Sequence, residues 1–283
     1  MIRVLITGEG SYIGSHLAGT LRQEPEQFEV HELDVRGGLN ESALAGYDAV
    51  VHVAGIAHQR ETAQNAPVYR SVNRDLAVQT ARAAKMQGVR QFVFFSSMSV
   101  YGMTTGRIHA DTKPSPNTHY GVSKWEAEQA MAELEDDSFR IAVLRPPMIY
   151  GRGCRGNYPR LAALARKLPV FPCVKNERSM LYIETLSAFV RSLLASGRGG
   201  LYFPQNAEYV STCELVRQVA ACHGKRMVMV PGFGWLIRAL SARVSVLGKV
   251  FGTLTYDRDM SRDFASDHEL TFQETVRRTE VGK

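Results

Sequence analysis

Ile2-Arg3-Val4-Leu5-Ile6-Thr7-Gly8-Glu9-Gly10-Ser11-Tyr12-Ile13-Gly14 lies at the start of the chain, and its reading decides the fold. Ile2 to Thr7 is a nearly continuous apolar run that stops at Gly8, the pattern of a strand buried on both faces. A helix-compatible Ser15-His16-Leu17-Ala18-Gly19-Thr20-Leu21 follows. Strand, glycine-rich turn and helix in that order make a pyrophosphate cradle, because missing side chains let backbone N–H groups and the helix N-terminus reach the phosphates. Gly8, Gly10, Ser11, Tyr12, Ile13 and Gly14 are therefore candidate cofactor-binding residues.

Working outward, a second strand, Glu29-Val30-His31-Glu32-Leu33-Asp34, ends on a carboxylate where a dinucleotide site holds the adenosine ribose. A carboxylate there disfavours a 2′-phosphate, so NAD is the expected cofactor; Arg36 could neutralise a phosphate and leaves NADP open. Asp48 to Gly55 reads as the next buried strand after an unusually short interval. One strand-helix unit is expected to be lost there, which could instead place Asp34 near the adenine. A helical period runs from about Val68 to Gln87, with Asn73 inside it as a backbone brace or part of a proton relay. Gln91 to Ser96 and Phe139 to Leu144 read as further strands, the second closed by Arg145-Pro146-Pro147. Ala54, Gly55, Asn73 and Pro146, at or beside these elements, complete the candidate cofactor set. Strands alternating with helices predict an α/β, doubly wound, mostly parallel sheet over residues 1–150, with 176–204 returning to it. Residues 151–283 are expected to form a smaller substrate-binding α/β region. Within it, helices are expected over Arg160 to Lys167 and Glu184 to Ala195, and capping boxes are read at Ser211-x-x-Glu214 and Thr271-x-x-Glu274.

The chemistry is expected at Tyr120-Gly121-Val122-Ser123-Lys124, after Ser97 at the end of a strand. A tyrosine and a lysine one helical turn apart share a face, so the ammonium can favour the phenolate and make a base of it. Ser97 could then hold the substrate oxygen.

Composition narrows the partners. The 283 residues carry a formal charge of +6, but their 34 Lys and Arg are scattered, which fits a small anionic ligand better than nucleic acid. Cys154, Cys173, Cys213 and Cys222 lack the spacing of a zinc site or a disulfide framework, so a reducing cytoplasm is expected. Met1 leads straight into a strand pattern without a signal peptide, and no apolar run has membrane-spanning length. Pro231 to Gly252, with Trp235, Leu236, Ile237 and Leu240 among Arg238, Arg243 and Lys249, reads as an amphipathic stripe that packs on its own domain, a partner subunit or a membrane surface.

Gly8-x-x-Ser11-x-x-Gly14, Asp34, Ser97, Tyr101-Gly102, Tyr120-x-x-x-Lys124 and Arg145-Pro146, in this order, resemble the extended short-chain dehydrogenase/reductase family. Within it they are most similar to the NAD-dependent epimerase/dehydratase group acting on nucleotide sugars, including enzymes of capsule and O-antigen sugar synthesis. Serine stands at position 11 where that family usually has glycine. The resemblance implies that Tyr120 is the acid/base, that Lys124 lowers its pKa and holds the nicotinamide ribose, and that Ser97 bonds the reacting oxygen. It also implies Asn157 and Arg178 as diphosphate ligands and the strand with Phe171 beside the base, with Ser99 joining the substrate set. Dehydratases of the group carry an Asp-Glu pair where Met98 and Ser99 stand here, so elimination is disfavoured. Two hydride-transfer readings remain: a nucleotide-sugar 4-epimerase, favoured through Asp34 and NAD, and a 4-keto-sugar reductase. A cofactor-binding sensor without chemistry is the third, and a homodimer through the Tyr120 helix and the helix before it is implied.

Overall fold

The computed structural model describes residues 1–57, 59–232, 234, 248, 250–264 and 270–282. Nearly all of the amphipathic stripe expected over 231–252, including Trp235 to Leu240, lies outside the described residues. Strands β1 (Ile2–Thr7), β2 (Phe28–Leu33), β3 (Ala49–His52), β4 (Gln91–Phe95), β5 (Gly106–Ile108) and β6 (Arg140–Leu144) come first. β7 (Met148–Tyr150), β8 (Val170–Pro172), β9 (Met180–Tyr182), β10 (Gly200–Tyr202), β11 (Val228–Val230) and β12 (Leu254–Tyr256) follow. The helices are α1 (Tyr12–Leu21), α2 (Ala66–Arg70), α3 (Leu76–Met86), α4 (His119–Ala132), α5 (Asn157–Lys167), α6 (Ile183–Ser196), α7 (Thr212–Cys222) and α8 (Phe272–Glu280).

Two compact units emerge. The first comprises Met1–Gly102, Lys113–Pro146 and Ile183–Pro204. Its six-stranded sheet has the order β10-β6-β4-β3-β1-β2, and every pairing is parallel. The chain turns outward from β1 to β2 and then returns to β3 on the other side, which opens a ligand crevice at the C-terminal ends of β1 and β3. Between β2 and β3 stands only a 3-10 turn, Glu41–Leu44, and β2 forms the sheet edge. The lost strand-helix unit expected from the short Asp34–Asp48 interval is thus seen directly. One sheet face is packed by Ala77, Ala81, Ala84, Ala127 and Met131 against Leu5, Val50, Phe92, Phe94 and Ile141. Small alanines on α3 and α4 let both helices lie close to the strands. At about 25 cal/mol per Å² of apolar surface, this burial is the main driving force for the unit. On the run expected as one helix, Ser71–Asp75 forms a π-helical turn between α2 and α3.

The second unit comprises Met103–Thr112, Pro147–Tyr182 and Gln205–Lys283. It contains three two-stranded parallel pairs, β11-β8, β12-β5 and β7-β9, and the helices α5, α7 and α8. Tyr150 is buried at its centre, its ring 5.4 Å from that of Tyr158 and its hydroxyl 2.6 Å from Thr275 Oγ1. Of the two capping boxes, only Thr271–Glu274 closes in both directions. Ser211 accepts from the Glu214 N–H, but the Glu214 carboxylate turns to Arg217 and Gln218 instead.

Candidate active site

The turn after β1 is shaped by what cannot be there. Gly8 has φ +98, and a Cβ on it would stand 3.0 Å from the Ala54 nitrogen at the end of β3. Only glycine lets β1 and β3 deliver their ends this closely. Ser11 proves to be the N-cap of α1, its Oγ accepting the Gly14 N–H at 3.1 Å. A serine where the family usually has glycine therefore keeps the helix end ordered, and that end points its positive dipole at the turn. The arrangement fits the pyrophosphate of a nicotinamide dinucleotide. Gly8→Ala is expected to cost about 1–3 kcal/mol, read as a fall in Tm, and to abolish cofactor retention during purification.

Asp34 follows β2 and is exposed. Arg36 grips it, with Nε 2.9 Å and 3.0 Å from its two oxygens and a terminal nitrogen at 2.7 Å. These side-chain bonds, joined by the Arg36 N–H, draw the carboxyl pKa down to about 2. The chain after β2 therefore presents a carboxylate and a guanidinium together.

Ser97, Tyr120 and Lys124 come together in the first unit. Ser97 stands one residue beyond Ser96 at the C-terminal end of β4 and caps a 3-10 turn, Met98–Tyr101. Its Oγ accepts the Ser99 N–H at 3.1 Å and lies 3.2 Å from Ser99 Oγ, and its side chain opposes the upward pKa shift of the Tyr120 phenol. Gly121 lets α4 approach this turn closely, because a Cβ there would be 2.6 Å from the Ser99 carbonyl oxygen. Thr118 caps α4 by accepting the Gly121 N–H at 3.0 Å. Glu61 accepts the N–H groups of His119 and Tyr120 at 2.8 and 3.2 Å, a role carried by a loop with no sequence signal to find it.

The electrostatics differ from the expectation in one respect. Burial pushes the Tyr120 phenol above its usual range, opposed by the Ser97 hydrogen bond and reinforced by Tyr69. The expected lowering by Lys124 is not seen; burial dominates, because a phenolate at this depth is poorly solvated. Lys124 is itself only 4% exposed, its ammonium 4.7 Å from the centroid of Phe94. Burial lowers its pKa to about 8, with Glu128 pulling the other way. Asn73 is fully buried in the π-helical turn. Its amide accepts from Ile56 N at 2.8 Å and donates to Ile56 O and Ser123 Oγ at 3.0 and 3.3 Å. That is bracing of the two expected roles, fixing the loop after β3 to α4. Ala54 and Gly55 lie in this loop, and Pro146 accepts the Met98 N–H at 3.0 Å.

In the second unit, Asn157 and Arg178 line one hollow with Met148, Met180 and Val250. Asn157 opens α5, whose N-cap Gly156 supplies no side-chain cap, so its first-turn N–H groups lack that partner. Arg178 donates to the Gly252 carbonyl at 2.8 Å, and burial lowers its pKa. Phe171 does not join them: its ring is buried 5.7 Å from Phe251. The start of α7, through Thr212 and Leu215, lines the same hollow and was not among the expected residues.

A strand-turn-helix cradle, a parallel sheet with its switch beside β1, and a buried Ser-Tyr-Lys cluster at the strand ends define a nicotinamide-dependent oxidoreductase fold. Residues 4–201 match the family described as NAD dependent epimerase/dehydratase, and the chain belongs to that family. It is 27% identical over 285 residues to a UDP-glucose 4-epimerase of Vibrio cholerae, covering 90% of this chain and 87% of the relative. Among solved structures, a UDP-glucuronic acid 4-epimerase from Bacillus cereus in complex with NAD superposes with a TM-score of 0.79 at 18% identity, covering 99% of this chain and 96% of that one. A dTDP-4-dehydrorhamnose reductase from Bacillus anthracis in complex with NADP does so with a TM-score of 0.76 at 18% identity, covering 99% and 98%. Among the described residues, no helix is long and apolar enough to cross a membrane.

Proposed function

We propose that the protein interconverts C4 epimers of a UDP-hexose or UDP-N-acetylhexosamine with a retained NAD. The observation that carries this reading is the close approach of α4 to the turn capped by Ser97, where a Cβ on Gly121 would meet the Ser99 carbonyl oxygen at 2.6 Å, which brings Tyr120 and the buried Lys124 to the end of β4. Bound nicotinamide supplies an acceptor for the C4 hydride and its return. Tyr120 would act from its phenolate form, its own proton released to solvent when the positively charged NAD binds; it would then take the proton of the 4-hydroxyl as that hydride leaves, and give it back when the opposite face is reduced. Ser97 holds the oxygen throughout, and Lys124 supplies positive charge beside the phenol. Gly8, Gly10, Ser11, Tyr12, Ile13 and Gly14 take the cofactor pyrophosphate, Asp34 the ribose, and Ala54, Gly55 and Pro146 line the strand ends around it. Elimination of water would need a further acid and base; Met98 is buried and Ser99 only hydrogen-bonds, so the site suits hydride transfer alone. Full-length relatedness to the Vibrio cholerae 4-epimerase supports the UDP-sugar.

In the second unit we assign the diphosphate to Arg178 and the uncapped start of α5 at Asn157, where cation and helix N-terminus favour an anion. Arg178→Met is expected to weaken UDP binding by roughly 10- to 100-fold in titration calorimetry, the worth of a charged hydrogen bond. The four free thiols suit a cytoplasmic enzyme. A homodimer is expected through α4 and the helical run before it, α2 and α3, where Val68 and Met86 are 49% and 71% exposed.

The test is incubation of purified protein with UDP-glucose or UDP-N-acetylglucosamine and no added nucleotide. Appearance of the C4 epimer supports the reading. A 4-keto-sugar reductase is the second reading, favoured by Arg36 after β2, whose guanidinium would turn from Asp34 to a 2′-phosphate. In that case the same mixtures stay unchanged, NADPH is consumed with a 4-keto-sugar, and Arg36→Ala raises the KM for NADPH alone.

A further inference from the structure

Tyr120 and Lys124 share their helix face with a third residue. Glu128 lies one more turn along α4, and its side chain is 6% exposed. Arg145, just beyond β6, closes on this carboxylate: its Nε is 3.1 Å from both oxygens and a terminal nitrogen is 2.5 Å from Oε2. Ser96 donates to the same carboxylate, and Ser96 is the neighbour of Ser97. The other terminal nitrogen of Arg145 donates to the Tyr101 hydroxyl at 2.8 Å, at the end of the turn that holds Ser97 and Ser99. The guanidinium is also stacked 5.2 Å from the Tyr101 ring and 5.3 Å from that of Trp125. One buried network thus binds α4, the end of β4, the 3-10 turn and the end of β6.

A buried ion pair of this kind adds little net stability over apolar packing of the same shape. Its electrostatic effect is local. The groups around the Lys124 ammonium are Glu128, one turn on along its own helix, the Phe94 ring from β4, His52 from β3, and the Asn73 amide beside Gly55; Tyr120 lies one turn back along α4. His52 is kept neutral by burial, its pKa lowered to about 3, and the Tyr120 phenol is held in its neutral form. Among these groups Glu128 carries the negative charge. Without it, desolvation acts on Lys124 unopposed.

We propose that Glu128 is a positioning residue for the Ser97–Tyr120–Lys124 site: Arg145 and Ser96 fix its carboxylate on α4 one helical turn beyond the buried Lys124, and the same bonds tie the Tyr120 helix to the strand end carrying Ser97. This rests on the proposed function only for what the charge is used for.

The test is Glu128→Gln, which keeps shape and hydrogen-bonding capacity and removes the charge. In protein labelled with 13C at lysine Cε, the Lys124 resonance, assigned by its loss in Lys124→Met, is titrated against pH without substrate. Its midpoint, near 8 in the parent protein, is expected to fall by about one unit or more. Glu128→Asp is expected to restore most of that fall. The alkaline limb of kcat is expected to move down in parallel with KM unchanged. If the guanidinium left behind prevents folding, Glu128→Gln combined with Arg145→Met removes both charges and takes the same measurement. A Lys124 midpoint unmoved in either folded variant would overturn the proposal. The titration needs no turnover, so it stands or falls separately from the epimerase reading.

Discussion

Tyr120→Phe is expected to lower kcat by two to four orders of magnitude while leaving the Kd for UDP within about threefold. The substitution removes one oxygen and keeps the ring that meets Tyr69 edge-on at 6.5 Å. The lost hydroxyl is the one whose upward pKa shift the Ser97 side chain opposes. Without it, a proton leaving the 4-hydroxyl has no acceptor with a path to the ketone oxygen. Packing should be almost undisturbed, since Glu61 and Thr118 hold the start of α4 through backbone N–H groups. A melt within a few degrees of the parent, together with lost turnover, is the expected pair of results. Turnover at the parent rate would mean that the acid/base lies elsewhere.

Lys124→Met should separate activity from stability. Turnover is expected to fall at least 100-fold, because the charge beside the phenol is gone. Stability at pH 7 should hold or rise by about 2–3 kcal/mol, since a desolvated ammonium is replaced by an apolar chain of similar length. The sign follows from linkage. The folded pKa of Lys124, about 8, lies below the ordinary lysine value of 10.5, so between these limits the unfolded chain holds more protons. The parent protein must therefore gain stability as pH rises through that window, and Lys124→Met must lose this gain. Denaturant melts at pH 7 and pH 10 measure both.

Much of this site was legible because its parts are local patterns. The run from Ile2 to Gly14 contains its own strand, turn and helix signals, and the short Asp34–Asp48 interval announced the lost strand-helix unit that leaves β2 at the sheet edge. Tyr120 and Lys124 could be placed on one face from spacing alone. The same spacing extended by four residues reaches Glu128, so that residue was within reach of the same reasoning. What escaped it depends on long-range pairing. β5 and β10 are three-residue strands, and they become strands only through β12 and β6. Glu61 acts through a loop that folds back 58 residues along the chain. Phe171 was placed correctly on a strand, but period alone could not say that its ring turns toward Phe251. The direction of the Tyr120 shift was missed for a related reason, since a cation one turn away is visible in sequence and the depth of burial is not.

The most direct test uses a UDP-hexose carrying deuterium at C4, mixed with the purified protein and no added nucleotide. If Tyr120 moves only the proton and the hydride stays with the enzyme, the C4 epimer forms with its deuterium retained at C4 and none in solvent. Absence of the epimer, or an epimer that has exchanged its C4 deuterium with water, would contradict this mechanism.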